Sequence, residues 1–269
     1  MLLMVDSNTL KKYFRIWWIL TTRTTQIAFA SRFSAMIFIF GKLLRFVSFL
    51  VFLLLILSRT RVIAGYTAWQ VIFFYATFNL IDTLPQIFMR EVYRFRWQVV
   101  NGYFDHTLVK PFSALFKTLF GGSDALDLSI LTLSLVLIGV AVHNVQQITM
   151  LGVFLYLALV VNAFLIAVAF HICVLAIGIL TTEVDNTIMI YRDITQMGRV
   201  PIDVYIEPVR SILTFAVPVG IMMSYPPKAL MGFLSAPSML VAFSLGIFFL
   251  FASLWFWRFS LKLYESASS

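Results

Sequence analysis

Three histidines (His106, His143 and His171) and one cysteine (Cys173) are all the residues of those kinds, and the histidines are far apart. There is no H-E-x-x-H pair, cysteine cluster, G-x-S-x-G elbow or G-x-x-x-x-G-K-[ST] phosphate loop. Zinc or iron binding, serine hydrolysis and P-loop nucleotide hydrolysis therefore have no sequence basis. A single cysteine excludes an intrachain disulfide, and Cys173, set among apolar neighbours, reads as a small buried hydrophobe. What remains are ionisable side chains inside long apolar runs: Lys42, Arg45, Asp82 and His171. Asp82 pairs with Lys42 or Arg45 if their helices are antiparallel neighbours. Otherwise it lines a cavity, where it would favour a cation, or carries a proton. His171 reads as a hydrogen-bonded packing residue.

Composition dictates the elements that hold these groups. Of 269 residues, 61% belong to the AVILMFWYC set and 12% are charged, and the mean hydropathy is +0.94. A soluble domain is about 45–50% apolar and about 25% charged. A water-soluble fold of this size cannot hide so much apolar surface, so a soluble enzyme, a disordered chain and a disulfide scaffold are excluded. The formal charge of +8 comes from basic residues that flank the apolar runs. That placement points to lipid headgroups and topology signals rather than to nucleic acid.

The expected fold is an all-α integral membrane protein, a single transmembrane domain over 1–269. Residues 10–32 read as an interfacial helix, with Leu10, Tyr13, Phe14, Trp17 and Leu20 on one side and Lys11, Lys12, Arg15 and Arg23 on the other. Those basic residues break the first apolar stretch, so no cleavable leader is expected. Spans are expected over 36–57, 71–89, 125–142, 148–180, 211–225 and 240–257. Pro85 is expected to bend the second and Pro218 lies in the fifth. The run over 148–180 is long enough either to tilt and protrude or to split at Asn162. With six spans and both termini cytoplasmic, fifteen of the twenty basic residues fall inside and three (Arg59, Arg61 and Lys228) outside. Splitting the long run gives eleven against seven, so six spans is preferred. No internal repeat is evident.

Local motifs add a resemblance. NGYFDHTLVKPFSALF (101–116) is similar to a pattern of Gly, an acidic residue, leucines, then a basic residue and Pro. GRVPIDVY (198–205) and TFAVPVGIMMSYPPKAL (214–230) are similar to later segments of the same family. Together with the layout, these segments make the chain resemble a permease (transmembrane) subunit of the second class of ABC exporters (ABC-2 type). The likeness is to a bacterial branch often encoded with a second, dissimilar permease and an ATPase. Departures are His106 where that branch has an aliphatic residue, Lys110 where it has Arg, TTEVD (181–185) where it has aromatics, and Lys42 and Arg45 inside the first span.

The resemblance implies an ATPase-coupling helix within 100–116, carried by Tyr103, Phe104, Asp105, Leu108, Lys110, Pro111 and Phe112. It implies a second cytoplasmic loop with Arg199, Pro201, Asp203 and Tyr205, and a partly helical external segment before the sixth span. It also implies an exporter of hydrophobic or amphipathic compounds (lipid, drug-like or peptide) in the bacterial inner membrane, not itself an enzyme. This chain would hold no cofactor; ATP and Mg²⁺ would sit on a partner pair of ABC ATPase subunits. A second permease, identical or different, and membrane lipid complete the expected partners, with no nucleic acid. Two rivals stand beside this reading: a proton-coupled secondary transporter using Asp82, and a permease-like scaffold that moves nothing.

Overall fold

The computed structural model describes residues 7–145, 148–181 and 183–265. Residues 1–6, 146–147, 182 and 266–269, among them part of the loop expected after the third span, lie outside the described residues. Helix α1 (Ser7–Ala30) ends at Ser31, whose hydroxyl caps α2 (Arg32–Thr60) by accepting from the Ser34 amide. A hairpin of β1 (Val62–Ile63) and β2 (Tyr66–Thr67) leads into α3 (Ala68–Phe88). Three short helices follow, α4 (Phe95–Val100), α5 (Tyr103–Leu108) and α6 (Ala114–Phe120). The end of the bundle that they form is labelled the coupling end, after the role expected for 100–116. The hairpin marks the opposite end, since α3 runs about 30 Å between the two. Next come α7 (Leu128–Asn144), α8 (Met150–Thr181) and α9 (Val184–Gln196).

Five helices are long and apolar enough to cross a membrane, or six if a bent pair over 209–230 is one span. Helices α3 and α8 form the centre, because both are apolar on nearly every side. In their most apolar stretches 72% and 67% of residues are buried, against 11% in α2. Helix α2 and the last helix, 17% buried over its own such stretch, therefore turn most of their surface away from the rest of the chain. Helix α8 is continuous, about 48 Å long at 1.5 Å per residue, so it does not split. Asn162 does not break it because its amide donates to Ala242 O at 3.0 Å. A β-carbon on Gly246 would collide with Asn162 Oδ1, which is why the chains meet at a glycine there.

The path after α8 departs from the expected one. The last helix, α12 (Ala236–Lys262), lies parallel to α8: Asn162 meets Ala242, and Trp257 packs in one cluster with Ile172, Leu175 and Ile179. Two parallel neighbours require the chain between them to return. Helix α9 begins this return along α8, with Val184 against Gly178 and Tyr191 against Phe170 (ring centroids 5.3 Å apart). The chain reaches the hairpin at Asp203, which accepts from the Tyr66 hydroxyl at 2.9 Å.

The span expected over 211–225 is not a straight helix. It consists of α10 (Val209–Ser211), wide helical turns at Ile212–Ala216 and Gly220–Ser224, and α11 (Tyr225–Leu230), with an 85° bend at the break. Pro218, which lacks an N–H and fixes its own φ, occupies the break. Arg210 at 2.9 Å and Lys228 at 2.6 Å bind the same Asp203 carboxylate. The bent segment thus begins and ends at the hairpin end.

Candidate functional site

At the coupling end, α5 is bolted to its own bundle on one side and bare on the other. Phe104, expected to be an anchor for a partner, is completely buried against Phe95, Trp257 and Tyr264. Its hydrophobicity holds α5 to α4 and α12 instead. Asp105 accepts from the Tyr264 hydroxyl at 2.8 Å. Burial and then the Asp105 carboxylate push that hydroxyl up to about 12, so it stays a donor at neutral pH. Tyr103, Leu108, Lys110 and Pro111 are exposed, and Phe112 is half-buried. Sequence reasoning noted His106 only as a departure from the family pattern and passed over Val109; both share the exposed rim, and Val109 is 81% exposed. An apolar residue in a loop carries no periodic signal that would single it out.

Helix α1 is tied to this end. Lys12 Nζ donates to Pro111 O at 2.7 Å, the Ser113 amide donates to the Tyr13 hydroxyl at 3.1 Å, and Tyr13 packs edge-on against Phe116. Trp17 lies against Phe88. Tyr13 and Trp17, expected on a lipid-facing side, therefore pack on protein, while Phe14 and Trp18 remain exposed.

Roughly two-thirds of the way along α3 towards the coupling end lies a small, partly open polar cleft of about 70 Å³. It gathers Lys42 and Arg45 of α2, Asp82 of α3, Asp127 at the start of α7, and Arg192 and Arg199. Lys42 forms an ion pair with Asp127, not with Asp82. The N-cap position of α7 sets that carboxylate beside α2, closer than the one on α3. Asp82 instead accepts from Gln86 Nε2 at 3.0 Å, one turn along its own helix, and among the described residues it makes no ion pair. Arg45 Nη2 donates to Gln196 Oε1 at 2.8 Å. The Arg192 guanidinium lies 5.9 Å from the Tyr93 ring centroid, and that of Arg199 lies 4.9 Å from Phe49. His171 is buried with Nδ1 2.8 Å from Ala167 O and its ring edge-on to Tyr191, a packing role outside the cleft.

The stretch expected as a second cytoplasmic loop is divided. Arg199 belongs to the cleft, whereas Asp203 belongs to the hairpin end with Tyr66, Arg210 and Lys228. Pro201 is buried beside it, and the Tyr205 hydroxyl donates to Met197 O at 2.8 Å. These residues are therefore remote from α5, because α9 has carried the chain to the other end. Within this hairpin-end cluster, Lys228, Arg210 and the Tyr66 hydroxyl all converge on the one Asp203 carboxylate.

The sequence model of the ABC-2 family transporter proteins matches residues 42–268. The chain belongs to that family. Membership makes this permease a membrane component of an ABC transporter and implies an ABC ATPase as its partner. No curated protein and no solved structure matches the permease. Asp127 and Arg192 of the cleft went unnoticed in the sequence. Asp127 stands at the edge of an apolar run, and Arg192 in a stretch whose polarity resembles that of a loop.

Proposed function

We propose that this permease is the conduit of an ATP-driven exporter in the bacterial cytoplasmic membrane, moving hydrophobic or amphipathic compounds outward. Both termini are cytoplasmic, and the six crossings are α2, α3, α7, α8, the stretch 184–204 and α12. The bent segment 209–230 is an external re-entrant element. At about 30 Å, the stretch 184–204 matches the hydrocarbon thickness. Its polar side faces a cleft rather than lipid, so it need not pass a hydropathy test. The layout keeps twelve basic residues on the cytoplasmic side and four (Arg59, Arg61, Arg210 and Lys228) outside, with Lys42, Arg45, Arg192 and Arg199 between.

One observation carries the coupling role: α5 is a short lever with Phe104 and Thr107 buried in the bundle and a bare rim of Tyr103, His106, Leu108, Val109, Lys110 and Pro111. Such a rim, with an aromatic and a few apolar and charged groups, suits the groove of a soluble ATPase. ATP and Mg²⁺ act on that partner. Closure of an ATPase pair would rock two permeases, this one and a second identical or different copy, through α5 and the attached α1 as rigid bodies.

The test is capture of the co-expressed ATPase by tagged permease. The double variant Val109→Asp/Lys110→Glu, on exposed positions, is expected to lower capture at least about tenfold while thermal unfolding is unchanged. Undiminished capture overturns the docking reading. Flux driven by a proton gradient in vesicles holding the permease alone would favour a secondary transporter instead.

A further inference from the structure

We propose that the cleft between α2, α3 and α9 is a binding site for the anionic head of an amphiphile, and that the exported compound is an amphipathic anion bearing a phosphate or carboxylate. The inference rests on the exporter reading and reverses the cation preference that Asp82 alone suggests. Four cations face the cleft, Lys42, Arg45, Arg192 and Arg199, against Asp82 and Asp127. Lys42 is neutralised by Asp127. Among the described residues, none of the three guanidiniums makes an ion pair; their partners are an amide oxygen and aromatic rings. Asp193 lies at the rim with Arg45, Arg192 and Arg199 and is exposed.

Ions at this depth are costly unless compensated, and isolated excess charge at membrane depth marks a pathway for the opposite sign. Ring and amide partners hold the guanidinium planes while leaving donors of each fork unused, the arrangement that accepts a two-oxygen anion. An inorganic ion would meet the same charges, but the surroundings favour a tail. Met189 shares the rim with Arg45, Arg192 and Arg199, and Met189 and the adjacent Ile190 are about 60% exposed on α9. A head in the cleft would therefore leave its chain along an apolar strip continuous with the membrane.

The experiment uses full-length permease in a nonionic detergent near neutral pH, titrated separately with dodecyl phosphate, dodecyltrimethylammonium and inorganic phosphate. Thermal unfolding is the readout, because a ligand that binds the folded state raises its midpoint. Dodecyl phosphate is expected to give a saturable rise that the other two probes do not. Arg199→Gln should weaken it by about tenfold, the loss of one charge-assisted contact. Asp82→Asn should tighten it severalfold, a result misfolding cannot imitate, and Arg59→Gln should leave it unchanged. An equal rise with the cationic detergent overturns the charge assignment, and an equal rise with inorganic phosphate overturns the amphiphile. Wild-type affinity in Arg199→Gln overturns the site. Because binding is read on the permease alone, it stands or falls separately from ATPase capture.

Discussion

Two ionic clusters occupy this bundle, and they are built on opposite principles. At the hairpin end, Asp203 is met by Lys228, Arg210 and the Tyr66 hydroxyl, so one carboxylate ties together the hairpin, the end of the α9 stretch and both limbs of the bent segment. In the cleft, Arg45, Arg192 and Arg199 line one space, and among the described residues none of their guanidiniums forms an ion pair. A buried ion whose partners are all present acts as a latch, since removing one partner strands the others. A cluster with excess charge of one sign stores repulsion that a ligand of the other sign relieves. The first arrangement holds shape, and the second waits for an occupant.

Stability measurements can break that contrast. The largest effect is expected at Asp203→Ala, which strands the nearly buried Lys228 and should cost about 4 kcal/mol in detergent unfolding. A loss within noise would mean that the cluster is not a latch.

A smaller loss, about 2–3 kcal/mol, is expected for Lys42→Met, which leaves the buried Asp127 without its cation. Among the described residues Asp127 Oδ2 has no hydrogen-bond partner, so none of them already donates to that oxygen in place of Lys42. The smallest effect, and one of opposite sign, is expected at Arg45→Gln. Removing one of three mutually repelling guanidiniums should leave unfolding unchanged or raise stability by up to about 1 kcal/mol. A clear destabilisation would show that Arg45 is a structural ion, and the contrast between the clusters would fail.

Much of the architecture was legible along the chain because lipid as a solvent writes itself into composition. The helices at 32–60, 68–88, 128–144, 150–181 and 236–262 sit on long apolar runs, and a helix facing lipid has to be apolar over most of its surface. The stretch 184–204 was not legible as the limb that leads the chain back along α8. Asp185, Arg192, Asp193 and Arg199 make it read as a loop, since hydropathy registers the average solvent of a segment and misses a polar side that faces a cleft. The bend within 211–225 was not legible either: the stretch is apolar enough for a crossing, yet Pro218 and the shared grip of Arg210 and Lys228 on Asp203 bring its two limbs to one carboxylate.

The candidate site divides in the same manner. Lys42, Arg45 and Asp82 stood out because a charge inside an apolar run is conspicuous, but their pairing did not. Asp127 is 85 residues from Lys42, and only the packing of α7 beside α2 decides between it and Asp82. Phe104 shows the same limit at the coupling end, where an aromatic in a polar loop is equally a partner anchor or a bolt to Trp257 until its neighbours are known.

Residue order alone established that this chain lives in a bilayer as helices, that it holds no nucleotide or metal motif, and which family it belongs to. These follow from local composition and short spacings, which depend on neighbours within a few turns. Tertiary structure alone decided which stretch leads the chain back after α8, which face of α5 is bare, and that arginines from α2 and the α9 stretch meet in one cleft. Those outcomes depend on contacts between residues about 150 positions apart, such as Arg45 with Gln196. Such contacts form only when helix packing brings distant segments together, and no local pattern encodes them.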